Sequence, residues 1–184
     1  QEAVVQGIVG AIAPSINAQE RAHAQRRRPE NLTAYEMALR VYNRAEQATR
    51  RSDFTGWDVA LAEARQVLLH DPRSALALLL IAWLQVAHLY MFMRDDPTSQ
   101  ARWNEGMEAA GRLVELNPSD ATGFAFLGFL LSVAGRGSEA LLNAQRAYEL
   151  NPNDVTSLLV LVQVELTEGL GQAALEHAGL AARL

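Results

Sequence analysis

The chain has 184 residues, of which 49% are hydrophobic and 20% charged, with no cysteine and a formal net charge of −5. This length and apolar content suffice for one ordinary domain or a short repeat array, and they exclude wholesale disorder. The lack of cysteine excludes disulfide scaffolds, thiolate zinc sites and a cysteine nucleophile, and it fits a cytoplasmic location. A negative net charge argues against a general nucleic-acid interface.

The first predicted element is an amphipathic helix over Ala3–Ala13, followed by Pro14, which ends it. Its apolar residues recur at helical spacing on one face, namely Val4, Val5, Ile8, Val9 and Ile12. A polar, basic stretch over residues 19–28 comes next, and residues 1–30 are therefore predicted to be a helix plus a basic linker. Because the chain starts with Gln1 and its last residues continue a helical pattern, we expect a fragment of a longer polypeptide.

Three similar four-residue motifs occur along the rest of the chain: Leu69–Pro72, Glu115–Pro118 and Glu149–Pro152. The last two prolines are 34 residues apart, whereas the first two are 46 apart, which corresponds to an insertion of 12 residues. A period of this length predicts stacked helical hairpins. The predicted units are about 31–73, 74–120, 121–154 and 155–184, with the insertion around residues 88–100 of the second unit.

The unit at 121–154 resembles the tetratricopeptide repeat (TPR) family. The residues that occupy its motif positions are Phe124, Leu127, Gly128, Leu131, Ala140, Ala144, Ala147 and Pro152. Small side chains at Gly128 and Ala140 let the paired helices approach closely, and Ala147 leaves room for the next unit. The turn glycines Gly135 and Gly137 are expected at positive φ.

The TPR resemblance implies an all-α, right-handed helical-hairpin solenoid of about four pairs with one or two extra N-terminal helices. We therefore expect nine or ten helices and no sheet. Burying one leucine of such an array, for which Leu127 is the candidate, contributes about 1.5–3 kcal/mol to stability.

A narrower resemblance concerns the first 36 residues of the chain. Ile8–Pro14, an Arg-rich bridge and Pro29–Glu36 together are similar to the junction that enters the C-terminal repeats of bacterial class III adenylate/guanylate cyclases. This likeness implies the regulatory region of a cyclase-like signalling protein. Proteins with other N-terminal domains share this kind of tail, so the interaction or sensor tail of another bacterial regulator, such as a transcription factor, is the alternative.

The sequence contains no Gly-rich phosphate loop and no nucleophile elbow, and class III cyclase chemistry requires a β-rich domain that this chain lacks. We therefore expect a non-catalytic chain without a cofactor or metal. The four histidines lack metal-site spacing and are expected at the surface or at helix ends: His23, His70, His88 and His177. Asp95 and Asp96 are expected in a solvated loop.

Two stretches have competing interpretations. Ala75–Met93 is apolar except for Gln85 and His88, which fits either a membrane span or a buried helix of the array, and the repeat spacing favours the buried helix. The basic cluster Arg26–Arg28 fits an anionic-lipid or nucleic-acid contact, or a solvated linker. Since no aromatic residues are interleaved with it, we expect a linker.

In TPR proteins the first helix of each pair lines a concave groove, and the resemblance therefore implies a partner-binding surface on those helices. The residues assigned to it are Leu76, Leu79, Trp83, Val86, Ala125, Phe129, Ser132, Leu159, Gln163 and Leu166. This surface is apolar and lacks the basic residues with which other members clamp a peptide's terminal carboxylate, so a chaperone-tail receptor is not expected.

The predicted function is a protein–protein interaction or oligomerisation module with an apolar groove. Three occupants of the groove remain open: a partner's amphipathic helix, a second copy of the chain in a homodimer, or the chain's own Ala3–Ala13 helix. A third class of function is a small-molecule-binding or hydrolytic helical domain that uses the insertion at residues 88–100.

Overall fold

The structure, a computed structural model, describes residues 33–92 and 98–184. These residues form eight helices and no strand, which confirms the predicted all-α class for the described chain. The helices are α1 (Ala34–Arg50), α2 (Phe54–His70), α3 (Ala75–Phe92), α4 (Ser99–Leu116), α5 (Ala121–Val133), α6 (Gly137–Leu150), α7 (Val155–Thr167) and α8 (Gly171–Ala181). Outside the described residues lie the predicted Ala3–Ala13 helix, His23, Arg26–Arg28 and the Asp95–Asp96 pair.

The chain divides within α3 into two compact units, with unit 1 ending at Leu84 and unit 2 beginning at Gln85. In unit 1, α1 and α2 pack as a hairpin together with the first turns of α3. Unit 2 contains the last turns of α3 and the helices α4 to α8. The predicted separation of residues 1–30 from residues 31–184 stays a prediction, because it falls outside the described residues.

The three recurring four-residue motifs lie at the ends of α2, α4 and α6. The side-chain oxygens of Asp71, Asn117 and Asn151 each accept the backbone N–H two residues on, at 3.0, 3.3 and 3.3 Å. At the start of α5 and α7, the carboxylates of Asp120 and Asp154 accept backbone N–H groups at 2.7 and 2.8 Å. Each motif therefore ends one helix, and the aspartate that follows the second and third motifs begins the next helix.

Two glycines with left-handed backbone make the turns inside the last two helix pairs. Gly135 has φ +73° and Gly169 has φ +76°, and a residue with a Cβ is strained at such angles. The expectation of positive φ at Gly137 was wrong, because this residue is already the first of α6. A Cβ on Gly137 would instead occupy the position of the Glu168 carboxylate.

The backbones of α5 and α6 approach each other closely at Gly128. A Cβ on Gly128 would lie 3.1 Å from the backbone nitrogen of Ala144 and 3.2 Å from the carbonyl oxygen of Ala140. Ala140, Ala144 and Ala147 are each 0% exposed. The prediction that small residues permit this approach is confirmed, and only a glycine fits α5 at this point without displacing the α6 backbone.

Alanines also close the hairpin of α1 and α2 in unit 1. Ala45, Ala60 and Ala64 are each 0% exposed. Beside them, the Trp57 indole N–H donates a hydrogen bond to Thr49 Oγ1 at 3.0 Å, which ties the first turn of α2 to the end of α1. The hairpin is therefore held by close packing of its alanines, by this hydrogen bond and by the ion pair between Arg44 and Glu63.

Most of α3 is buried, which explains why this helix is apolar around its circumference. Leu80 and Leu84 are each 0% exposed and Leu78 is 1% exposed. Among the described helices, none is both long enough and apolar enough to cross a lipid bilayer.

The 12-residue insertion lengthens two helices as well as the connection between them. α3 and α4 have 18 residues each, whereas α5 and α6 have 13 and 14. Each helix of the second pair is therefore about one turn longer than its counterpart in the third pair.

Gly128→Ala is expected to destabilise the protein by about 1–3 kcal/mol, because the added methyl group meets the rigid backbone of α6. Gly111→Ala in α4 is the matched control, since a Cβ added there would meet nothing within 4 Å and alanine is favoured in a helix by about 1 kcal/mol. Urea denaturation of both variants measures the difference. Equal stability of the two variants would contradict the α5–α6 packing.

The fully buried leucine of α5 is Leu130, at 0% exposure, whereas Leu127 is half-buried. Leu130→Ala is therefore expected to cost about 2–5 kcal/mol. Leu142→Ala, at a position 68% exposed, is expected to change stability by less than about 0.5 kcal/mol. Thermal unfolding followed by circular dichroism tests this ranking, and a larger loss for Leu127→Ala than for Leu130→Ala would reverse it.

Candidate interaction surface

The first helices of the last three pairs carry almost no charge. α3 and α5 contain no Asp, Glu, Lys or Arg, and α7 contains one, Glu165, which is 3% exposed. The second helices carry charges on their outer surface, such as Arg112 beside Glu108 at 3.6 Å and Arg136 beside Glu139 at 2.6 Å. The hydrogen bond from Arg136 to Glu139 raises the pKa of the Arg136 guanidinium. Exposed charge is thus segregated away from α3, α5 and α7.

Contacts within unit 2 bring the first helices α3, α5 and α7 together along one surface. The rings of Tyr90 on α3 and Phe129 on α5 have centroids 6.2 Å apart. The hydroxyls of Ser132 on α5 and Thr167 on α7 lie 3.2 Å apart, within hydrogen-bonding distance. We call this surface the unit 2 face; its residues are Val86, Tyr90, Phe129, Ser132, Leu159, Gln163, Leu166 and Thr167.

The unit 2 face presents large apolar side chains to solvent. Tyr90 is 61% exposed, Leu159 57% and Leu166 60%. Phe129 is 4% exposed and lies next to the Tyr90 ring, whereas Val86 and Gln163 are half-buried. Leu159, Gln163 and Leu166 follow one another at helical spacing along α7, so the two exposed leucines lie on one side of that helix with Gln163 between them.

The remaining residues assigned to the groove from the sequence lie in unit 1, on the first turns of α3. Leu76, Leu79 and Trp83 are all half-buried. The Trp83 ring lies 5.9 Å from the Tyr42 ring of α1, centroid to centroid. In unit 1 Trp83 therefore lies against α1, and the role of all three residues in binding stays a prediction.

Two residues of the unit 2 face were missed in the sequence. Tyr90 lies one helical turn beyond Leu79, Trp83 and Val86 on the same side of α3, so the spacing of these residues would have predicted it. Thr167 was missed because its position depends on how α7 lies beside α5. Ala125, which the sequence assigned to the groove, is 0% exposed and belongs to the core.

Beneath the unit 2 face, the buried Glu165 carboxylate connects α7 to α8. His177 Nδ1 lies 2.9 Å from Glu165 Oε2, and the Tyr148 ring of α6 stands edge-on to the His177 ring with centroids 5.2 Å apart. The expected surface or helix-end role of His177 was therefore wrong, because its ring lies between three helices. The spacing of Glu165 and His177 in the sequence does not predict their contact, because the two residues lie on different helices.

A second buried polar cluster lies between α3 and α4 in unit 2. Gln85, at 1% exposure, contacts the Glu105 carboxylate through its amide nitrogen and accepts a hydrogen bond from Arg102 at 3.3 Å. Arg102 also donates to Thr98 Oγ1 at 3.0 Å. Polar side chains thus converge beside the insertion, where the sequence left open a ligand-binding site. They bind one another, which fixes the alignment of the two long helices.

Within residues 33–92 and 98–184, no group of three or more metal-ligating side chains lies close enough together to hold a metal ion. His70 is exposed in the last turn of α2, as expected, whereas His88 is 5% exposed in α3 and not at the surface.

Solved structures of similar fold include TPR proteins. The Thermus thermophilus TPR protein TTC0263 matches with a TM-score of 0.69 at 16% identity, over 95% of this chain and 86% of that chain. MamA from MSR-1 matches with a TM-score of 0.58 at 14% identity, over 90% and 92%. The first TPR domain of RPAP3, bound to the HSP90 peptide SRMEEVD, matches with a TM-score of 0.54 at 14% identity, over 73% and 95%.

No protein-family model and no curated protein matches the sequence. At these identities the structural likeness defines the fold, and the predicted TPR-like, all-α fold class is confirmed.

The Glu165–His177 pair is expected to stabilise the α7–α8 hairpin with a coupling energy of about 1–3 kcal/mol. A double-mutant cycle of Glu165→Gln, His177→Gln and the double variant, measured by urea denaturation, yields this value. The same cycle on the exposed pair Arg146 and Glu149, whose atoms lie 3.2 Å apart, is the control and is expected to give below about 1 kcal/mol. Equal coupling in the two cycles would contradict a structural role for the buried pair.

Proposed function

We propose that the chain is a non-catalytic protein-interaction module whose ligand surface is the unit 2 face, and that the predicted residues of unit 1 also take part in binding. The observation that carries the proposal is the exposure of Tyr90, Leu159 and Leu166 together on helices without exposed charge. Scattered exposed apolar residues are ordinary, whereas a contiguous apolar strip marks a binding surface.

The chemistry of the unit 2 face defines the class of ligand. An uncharged strip along α7, with hydroxyl and amide groups at Ser132, Gln163 and Thr167, fits the apolar side of an amphipathic helix. The RPAP3 TPR domains bind peptides that end in the acidic sequence EEVD. No arginine or lysine lies on the unit 2 face to neutralise such a peptide, so we propose an apolar helical ligand in place of an acidic tail.

The larger protein that we propose is a bacterial cyclase-like signalling protein, with this chain as its cytoplasmic C-terminal regulatory region. The support is the resemblance of Ile8–Pro14 and Pro29–Glu36 to the junction in class III adenylate/guanylate cyclases. A module that pairs two copies would serve such an enzyme, because its catalytic sites form between two catalytic domains. The alternative is the tail of another regulator, such as a transcription factor.

The gene sequence upstream of Gln1 distinguishes a cyclase-like signalling protein from another regulator. A class III catalytic domain there supports the cyclase proposal, and a DNA-binding domain supports the alternative. Sedimentation velocity over a concentration series tests the homodimer, and a strict monomer at millimolar concentration would exclude it.

Leu159→Ser combined with Leu166→Ser is expected to weaken binding of an uncharged amphipathic peptide of leucine and glutamine by more than about tenfold, because each leucine contributes about 1.5–3 kcal/mol when buried. Fluorescence anisotropy of the labelled peptide measures the affinity.

The matched control combines Leu142→Ser with Leu175→Ser, two leucines that are 68% and 69% exposed on second helices. The control is expected to bind the peptide as the unmodified chain does. If both pairs of substitutions changed the affinity equally, the unit 2 face would not be the ligand surface.

A further inference from the structure

Unit 2 is acidic, and its charge acts on any helix that binds the apolar unit 2 face. The described residues of this unit, 85–92 and 98–184, contain ten Asp or Glu and five Arg, which gives a net charge of −5. An amphipathic helix keeps its charged residues on the solvent side when its apolar side is buried. The sign of those charges therefore decides whether unit 2 attracts or repels the helix.

The C-terminal ends of α3, α5 and α7 lie side by side at one edge of the unit 2 face. Tyr90, two residues before the end of α3, has its ring centroid 6.2 Å from that of Phe129, in the last turns of α5. The hydroxyl of Ser132, one residue before the end of α5, lies 3.2 Å from that of Thr167, the last residue of α7. Since the last carbonyl groups of a helix carry a partial negative charge, three such ends add up at this C-terminal edge.

A carboxylate adds to the negative charge of the C-terminal edge. Glu168 is exposed and directly follows Thr167, and its carboxylate lies beside Gly137, the first residue of α6. Within their described residues, α3, α5 and α7 have no basic residue in the last turn. Arg136, in the turn after α5, is paired with Glu139. The edge therefore has a surplus of negative charge next to exposed apolar side chains.

The opposite edge of the face, at the N-terminal ends of α5 and α7, is electrically more balanced. Asp120 accepts the Thr122 backbone N–H at 2.7 Å, and Asp154 accepts the Ser157 backbone N–H at 2.8 Å. Each of these carboxylates lies against the partial positive charge of a helix N-terminus. A cation on a ligand therefore gains more at the C-terminal edge than at this one.

We propose that the ligand of the unit 2 face is a basic amphipathic helix, whose apolar side covers Leu159 and Leu166 and whose lysines or arginines lie at the C-terminal edge near Glu168. This assignment rests on the function proposed above and adds the charge of the partner. An acidic helix would be repelled. Two copies of unit 2 would bring two net charges of −5 together, which disfavours a second copy at this face.

Three synthetic peptides, titrated into the full chain, test the proposal. All have one row of leucines at helical spacing and glutamine elsewhere, except that three glutamines on the opposite side are replaced by lysine in one peptide and by glutamate in another. Fluorescence anisotropy of the labelled peptides measures each Kd. At about 10 mM NaCl the lysine peptide is expected to bind at least about ten times more tightly than the glutamate peptide, with the glutamine peptide between them. At about 1 M NaCl the difference is expected to fall below about threefold, because the Debye length decreases from about 30 to about 3 Å.

Glu168→Gln tests the location of the ligand's cation. It is expected to weaken binding of the lysine peptide about two- to fivefold, the range of an exposed ion pair, and to leave binding of the glutamine peptide unchanged. Glu115→Gln is the matched control, since it removes the same charge from an exposed position on the second helix α4, and no change is expected. Equal effects of the two variants on the lysine peptide would overturn the assignment of the cation to the C-terminal edge.

The remaining outcomes separate this proposal from the proposed function. Equal affinity for the three peptides at about 10 mM NaCl, or tightest binding of the glutamate peptide, would overturn the basic partner while leaving the unit 2 face as a ligand surface. No binding of any peptide would overturn the proposed function itself.

Two other occupants of the face are also outcomes of the test. Self-association of the unmodified chain that is lost in Leu159→Ser with Leu166→Ser, measured by sedimentation velocity, would assign the face to a second copy and overturn the proposal. Tighter binding of a peptide of residues 1–18 than of the lysine peptide would assign the face to the chain's own N-terminal segment and overturn it as well.

Discussion

The close approach of α5 and α6 at Gly128 is the constraint on which the rest of unit 2 depends. With the Gly128 Cα facing backbone atoms of Ala140 and Ala144, the two helices are held at a distance that a larger residue would not allow. At this separation α6 also contacts α7, and α7 lies beside α5. The unit 2 face exists because α5 and α7 are neighbours, so its geometry follows from the absence of one side chain.

The distribution of charged residues gives the two sides of the helix pairs different surfaces: the second helices are charged, and the first helices are apolar. Charged residues on the second helices pair with one another in water, where they contribute little to stability and keep that side of the chain hydrated. The first helices carry their apolar residues both inward to the core and outward to the unit 2 face. Leu159 and Leu166 are exposed on a helix whose one charged residue is buried, whereas Leu142 and Leu175 are exposed on helices that also carry exposed charges.

Buried polar groups account for most of what sequence reasoning missed. Glu165 is retained in the interior because His177 supplies a partner from α8. Gln85 is buried in an apolar helix because Glu105 and Arg102 of α4 reach it. Neither pairing follows from spacing, since a residue's partner on another helix depends on the rotation and length of both helices. Tyr90 and Thr167 were also not assigned to the face, although Tyr90 lies one helical turn beyond Val86.

The sequence by itself determined the helical class, the 34-residue period, the ends of the helices and the small residues at their contacts, because these depend on local backbone chemistry and on side-chain volume. It also determined that the first helices of the last three pairs carry almost no charge. Only the tertiary structure decided which of their apolar residues face solvent: Ala125 and Phe129 are buried, whereas Leu159 and Leu166, assigned by the same rule, are exposed. Exposure depends on the neighbours that packing brings to each position, and no periodicity within a single helix contains that information.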